Sequence, residues 1–151
     1  MDDEHIALKL THLGKGVDAT MRRELGAFGL SPRHGFALRH LSHHGPTSQQ
    51  ALIEALEVDP SVLVAILNDL ENAGLAERKR DPEDRRRHIV EMSDRGHRAL
   101  EGMSRIVNHI DRDLLADLSP SDVERLHSLL DRLRMPSSGN ACIEEPPKDA
   151  C

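Results

Sequence analysis

The chain has 151 residues, a formal net charge of −6 and 38% hydrophobic residues, with Phe28 and Phe36 as its only aromatic rings apart from histidines. That length suits a small domain with a mostly aliphatic core, and two rings exclude the stacking platforms that single-stranded nucleic acid needs. No apolar run approaches the ~18 residues of a membrane span, and the opening Met-Asp-Asp-Glu lacks the blocks of a signal peptide, so a cytoplasmic location without membrane contact is expected.

Ile6, Leu10, Leu13, Val17, Met21, Leu25 and Phe28 recur at steps of three or four and predict one long helix with an apolar stripe, weakened locally by Gly14 and Gly16. Ser31-Pro32 caps and opens a second helix with Phe36, Ala37, Leu38 and Leu41 inward, stopped by Gly45-Pro46. Thr47-Ser48 offers hydroxyl caps for a short third helix carrying Leu52, Ala55 and Leu56. Val58-Asp59-Pro60-Ser61 then supplies a turn, an N-cap carboxylate and a first-turn proline. A fourth helix should run from Pro60 to about Ala73, with Val62, Leu63, Ile66, Leu67 and Leu70 on its apolar face and Gly74 at its stop.

Leu75 to Arg80 and His88 to Met92 flank the polar loop Asp81 to Arg87 and predict a β-hairpin with a charged tip. Beyond it, Leu100, Met103, Val107, Ile110, Leu114 and Leu118 form another helical stripe, widened by Ile106 and Leu115. Ser119-Pro120-Ser121-Asp122 opens a last helix with Val123, Leu126, Leu130 and Leu133. The turn-rich, polar tail 136–151 is expected to be disordered. Two short capped helices leading into a basic hairpin are the parts of a winged helix-turn-helix. The expected fold is therefore mainly α with a small β-hairpin wing: a lobe at about 31–93 for double-stranded DNA, flanked by dimerisation helices at about 4–30 and 94–135, within a single domain 1–135.

Leu70-Glu71-Asn72-Ala73-Gly74-Leu75-Ala76-Glu77-Arg78, followed by Asp84-Arg85-Arg86-Arg87-His88-Ile89-Val90-Glu91-Met92-Ser93 and Gly96, resembles the signature of the MarR family of bacterial transcriptional regulators. That signature is roughly Leu-Glu-x-x-Gly-Leu-x-x-Arg, then Asp-x-Arg-x-x-x-Val-x-Leu-Thr-x-x-Gly. Asp84, Arg86 and Val90 match it, and Met92 and Ser93 replace Leu and Thr conservatively; the likeness covers about residues 5 to 135. It implies that the helix from Pro60 lies in the major groove and that Arg86 reaches the minor groove. It also implies a homodimer joined through terminal helices on a near-palindromic operator, and repression relieved by an aromatic or anionic small molecule between the dimerisation helices and the DNA-binding lobe.

From Arg78 to His88 there are six Lys or Arg against three acids, a local excess of three positive charges in a negative chain. The local field governs contact with phosphate, so Arg78, Arg80, Arg85, Arg86 and Arg87 are candidate DNA contacts. The opposing reading is a self-neutralised loop, with Asp81, Glu83 and Asp84 pairing the arginines. Thr47, Ser48 and Gln49 are candidates for phosphate at a helix start, and Ser61, Val62 and Val64 for base edges and thymine methyls. Thr47 to Glu77 contains no Lys or Arg and six acids, so arginine readout of guanine is excluded from the fourth helix.

Candidate ligand-lining residues are His12, Gly16, Phe36, His40, Arg105 and His109, with a surface pair of Arg105 and Glu101 as the plainer role for that arginine. His109 and Asp113 are spaced to share a helical face, and zinc-sensing members of the family raise the alternative of a zinc-responsive repressor using them with His40 or His43. No metal and no cofactor is expected. Cys142 and Cys151 both lie in the tail, so they form no framework, and reversible oxidation of Cys142 is the one redox role considered. No nucleophile elbow, phosphate-binding glycine loop or His-Glu-x-x-His motif occurs, and no enzyme is expected. The acidic fourth helix leaves a further alternative, a winged-helix protein-interaction module with weak DNA affinity.

Overall fold

The computed structural model describes residues 5–135; the expected tail and both cysteines lie outside them. The helices are α1 (Ile6–Gly26), α2 (Pro32–His44), α3 (Gln49–Leu56), α4 (Pro60–Asn72), α5 (Asp94–Leu114) and α6 (Pro120–Arg132), and the strands are β1 (Thr47–Ser48), β2 (Ala76–Arg80) and β3 (His88–Met92). One compact unit ends at Leu114 and another begins at Leu115. No helix among the described residues is long and apolar enough to cross a membrane.

In the first unit, Leu38, Leu52, Leu63, Leu67, Leu70 and Val90 are wholly buried, so α2, α3, α4 and β3 enclose one aliphatic core. Local chemistry sets the limits of these elements. The Ser48 hydroxyl accepts the Ala51 N–H at 3.1 Å and caps α3, which ends on Glu57 in the left-handed region (φ 51°). The start of α4 rests on Pro60, and the Asp59 carbonyl accepts from Val62 and Leu63; contrary to expectation, the Asp59 carboxylate makes no capping bond. Gly74 (φ 71°) closes α4, with Gly74 N–H bonded to the Glu71 carbonyl and Leu75 N–H to the Leu70 carbonyl, the paired bonds of a Schellman stop.

β2 and β3 form the expected antiparallel hairpin, with Arg78 opposite Val90 and Arg80 opposite His88. The two-residue β1 was not expected: it adds to the free edge of β3, giving the order β1-β3-β2. So short a strand has no sequence period of its own and exists because β3 supplies the ladder. The hairpin's base is pinned to the end of α4 by Ser93, whose hydroxyl donates to the Gly74 carbonyl (2.7 Å) and accepts the Gly96 N–H (3.0 Å), while its own N–H donates to the Leu75 carbonyl (3.0 Å).

Two aromatic placements depart from the sequence reading. Phe36, expected inward, is 55% exposed, because the buried arc of α2 runs through His34, Ala37, Leu38 and Leu41 and the 100° step carries Phe36 off it. Phe28 lies beyond α1 and is 71% exposed. On α1 only Leu25 is buried, Val17 and Met21 are half-buried, and Ile6, Leu10 and Leu13 face solvent. In the second unit, Ser119 caps α6 by accepting the Asp122 N–H, Val123 and Leu126 are half-buried, and Leu129, Leu130 and Leu133 are exposed.

Candidate nucleic-acid interface

With Leu63, Ile66, Leu67 and Leu70 buried, α4 turns Ser61, Val64, Ala65 and Asn68 outward. Val62, a candidate for thymine methyls, is half-buried and packs against the core, since it shares the inward arc with Leu63 and Ile66. At the start of α3, Thr47, Ser48 and Gln49 are half-buried, and Thr47 spends its hydroxyl proton on the Gly45 carbonyl at 2.8 Å.

Arg78 does not hang free from the wing. Its guanidinium donates to Glu71 Oε2 and to Asn68 Oδ1, both at 2.6 Å, and its backbone N–H donates to Glu71 Oε1 at 2.9 Å. The first strand of the wing is thereby clamped to α4, and Arg78 holds these two elements together instead of extending into solvent. The hydrogen bonds from Arg78 hold the Glu71 carboxyl below its ordinary pKa against the opposing effect of burial. A lowered carboxyl pKa stabilises the fold at pH values above the ordinary glutamate range and ceases to do so as pH falls through the folded-state value. Arg78→Met should therefore cost about 1 to 2 kcal/mol at neutral pH, since water reaches part of the pair and screens it. The loss should shrink on acidification; a gap in urea midpoints that stays constant to about pH 3 would contradict it.

Two of the three acids of the wing loop, Asp81 and Asp84, are used by the backbone. Asp81 Oδ1 accepts the Glu83 N–H at 2.9 Å, Asp84 Oδ1 accepts the Arg86 N–H at 3.0 Å, and the Asp84 carbonyl accepts the Arg87 N–H at 2.9 Å. These local turns shape the tip. Lys79 pairs with Glu91 at 2.7 Å, whereas among the described residues no ion pair involves Arg80, Arg85, Arg86 or Arg87, all exposed. The self-neutralised loop is thus not what forms: the carboxylates fold the tip and the guanidiniums remain available.

The sequence reading missed a second brace on α4. His34 is 8% exposed, the one buried polar side chain among the described residues; its Nδ1 accepts the Ser31 N–H at 2.9 Å, so Nε2 carries the proton and donates to Asp69 Oδ2 at 3.0 Å. The start of α2 is thereby tied to the last turn of α4. The Ser31-x-x-His34 spacing was the available signal for its first half.

The ligand-lining candidates fall in separate clefts. His12, Gly16 and His109 share a space of about 460 Å³ between α1 and α5. Phe36 borders a space of about 500 Å³ with Met21, Leu25, Met103 and Val107, and another of about 530 Å³ with His40 on the other side of α2. Arg105 stands apart in a cleft of about 360 Å³ with Phe28 and Ile106, and among the described residues it forms no ion pair with Glu101. His109 Nε2 lies 3.8 Å from Asp113 Oδ2, as their spacing predicts, but neither lines the clefts of His40 and His43. No group of three His, Cys, Asp or Glu placed to hold a metal occurs among the described residues. His40 and His44 form a His-x-x-x-His pair, a spacing the sequence reading took to be absent, and their rings stack with centroids 4.2 Å apart.

Residues 28–87 match the model of the MarR family. Over 139 residues the chain is 34% identical to a putative transcriptional regulatory protein for the hcr operon of Thauera aromatica, covering 89% of this chain and 84% of that protein. Its fold superposes on a probable transcriptional regulator from Pseudomonas aeruginosa with a TM-score of 0.76 at 32% identity, covering 87% of this chain and 98% of that one. A likeness of fold alone, at 20% identity and a TM-score of 0.75, relates it to BpsR of Bordetella bronchiseptica, whose DNA binding is regulated by 6-hydroxynicotinic acid; there the coverage is 87% and 94%.

Proposed function

This chain belongs to the MarR family and is a DNA-binding transcriptional regulator, and on that premise we propose that it works in the cytoplasm as a homodimeric repressor of a near-palindromic operator, released by a small aromatic or anionic effector. The observation that carries the DNA-binding assignment is the Arg78 clamp: it holds a wing with four arginines that are unpaired among the described residues beside the outward face of α4, so that both can reach one duplex together. The recognition helix offers Ser61, Val64 and Asn68 but no cation, so affinity rests on the wing and specificity leans on groove shape. Three phosphate-facing arginines, Arg80, Arg85 and Arg87, on each of two wings predict a slope of log K against log salt of about −5. Titration onto duplex DNA from the chain's own upstream region at several salt concentrations tests this. Weak, sequence-indifferent binding would favour the protein-interaction module instead.

The dimer assignment is supported by the apolar residues that α1 and α6 each leave in water, Ile6, Leu10 and Leu13 on one and Leu129, Leu130 and Leu133 on the other. A second copy buries such stripes symmetrically. Leu10→Glu with Leu13→Glu should remove about 2 kcal/mol per leucine, counted on both protomers, and give a monomer in sedimentation velocity with reduced operator affinity. A persistent dimer would place the interface elsewhere. For the effector we favour the cleft of about 500 Å³ among α1, α2 and α5, where Leu25 and Met103 form an apolar floor and Asn108 offers an amide. A ligand that fits this cleft better in one arrangement of dimerisation helices and lobe shifts the population away from DNA.

A further inference from the structure

The cleft on the other side of α2, facing the corner between α3 and α4, has the composition of an anion receptor. It encloses about 530 Å³, and its α2 wall carries Arg33, Arg39, His40, His43 and His44 around the exposed ring of Phe36. The opposite wall is aliphatic, made of Ala55, Leu56, Val58 and Ile66. Among the described residues the charged and titratable groups that line the cleft with His40 therefore all come from α2; Glu57 and Asp59, in the corner itself, do not line it. Among the described residues neither Arg33 nor Arg39 forms an ion pair.

His40 and His44 stack almost in parallel, with 17° between their planes, and His44 Nδ1 donates to the His40 carbonyl at 3.1 Å. Two histidines four residues apart suit a divalent cation in other settings. Here two guanidiniums, with no lining carboxylate among the described residues, oppose one. The same features favour negative charge. We propose that this cleft binds a planar aromatic dianion, with its ring against Phe36 and the aliphatic wall and its carboxylates on Arg33 and Arg39. Two unpaired guanidiniums call for two negative charges, and an apolar wall opposite an exposed phenyl ring calls for a flat apolar body.

Binding is linked to protons. Burial, with the charges of His44 and His43 adding to it, holds His40 below the ordinary histidine pKa. An anion beside it favours the imidazolium, so the complex takes up a proton. Affinity should fall about tenfold per pH unit as pH rises through the interval between the free and bound values of His40. The occupied cleft joins α2 to the corner that precedes the recognition helix, which makes it a second place, across Phe36, Arg39 and His43 from the cleft among α1, α2 and α5, from which α4 can be biased.

Calorimetric titration of the full-length protein with phthalate, in buffers of different ionisation enthalpy from about pH 5.5 to about pH 8, tests the proposal. One molecule per protomer should bind with uptake of up to one proton, and the His40 ring signals, assigned with His40→Gln, should move in NMR spectra. Arg33→Gln, at an exposed position, should weaken binding about tenfold, the loss of one charge-assisted contact. Val107→Trp, which fills the cleft among α1, α2 and α5, should leave binding unchanged. The proposal is overturned by absence of phthalate binding, by equal affinity for the saturated 1,2-cyclohexanedicarboxylate, or by indifference to Arg33→Gln. Loss of binding in Val107→Trp would also overturn it by placing the ligand in the other cleft.

Discussion

Arg86→Ala is expected to weaken operator binding by about 1 to 3 kcal/mol at each half-site, and by about twice that for a dimer engaging two. The side chain is exposed at the wing tip, has no ion-pair partner among the described residues, and follows the turn in which Asp84 accepts the Arg86 N–H. A guanidinium held there can enter a narrow minor groove, whose negative potential attracts it. Its loss should be greatest on operators with an A·T-rich segment at the wing position. Arg85→Ala and Arg87→Ala should instead weaken binding evenly across sequences and flatten the salt dependence, as phosphate contacts do. Fluorescence anisotropy on operator and shuffled duplexes separates the two behaviours. Unchanged operator affinity in Arg86→Ala would remove the wing from the DNA-binding surface.

The second large effect is on stability. An added Cβ at Gly96 would lie 2.1 Å from the Leu75 carbonyl oxygen and 2.6 Å from Met92 Cγ. The methionine can move, but the carbonyl cannot easily do so, because it accepts the Ser93 N–H and lies one residue after the left-handed Gly74. Gly96→Ala should therefore cost about 3 kcal/mol or more, a large share of the ~5 to 15 kcal/mol that holds a domain together. The melting temperature should fall by about 10 °C. Gly35→Ala is the informative comparison: its nearest obstacle, Met103 Cε at 2.6 Å, is the far end of a flexible side chain, so the loss should be much smaller. Equal melting temperatures for wild type and Gly96→Ala would mean that the junction of β3 and α5 is not held as tightly as its hydrogen bonds suggest.

Much of the fold was legible because its signals are settled within a few residues. Ser48 caps α3 through Ala51, Pro60 opens α4, Gly74 closes it, and the hairpin spans the two runs that flank the charged loop. Each depends on backbone groups that neighbouring side chains can reach, so composition and spacing suffice. The candidate site was less legible. Arg78 and Arg86 look alike in a string of basic residues, yet one is clamped by Glu71 and Asn68 and the other is open. Nor does the local count of three acids against six cations reveal that Asp81 and Asp84 accept backbone N–H groups instead of pairing arginines.

By itself, the order of residues determined which elements form, where they stop, and that a basic hairpin follows two short helices. Only the tertiary structure decided which side chains those elements leave available. His34 reaches Asp69 across 35 positions, β1 exists through pairing with β3, and Phe36 turns outward because the core claims the neighbouring arc of α2. The physical reason is one of range. Capping and turn formation are resolved along the chain, whereas burial, ion pairing and the freedom of a guanidinium depend on partners that only folding brings near.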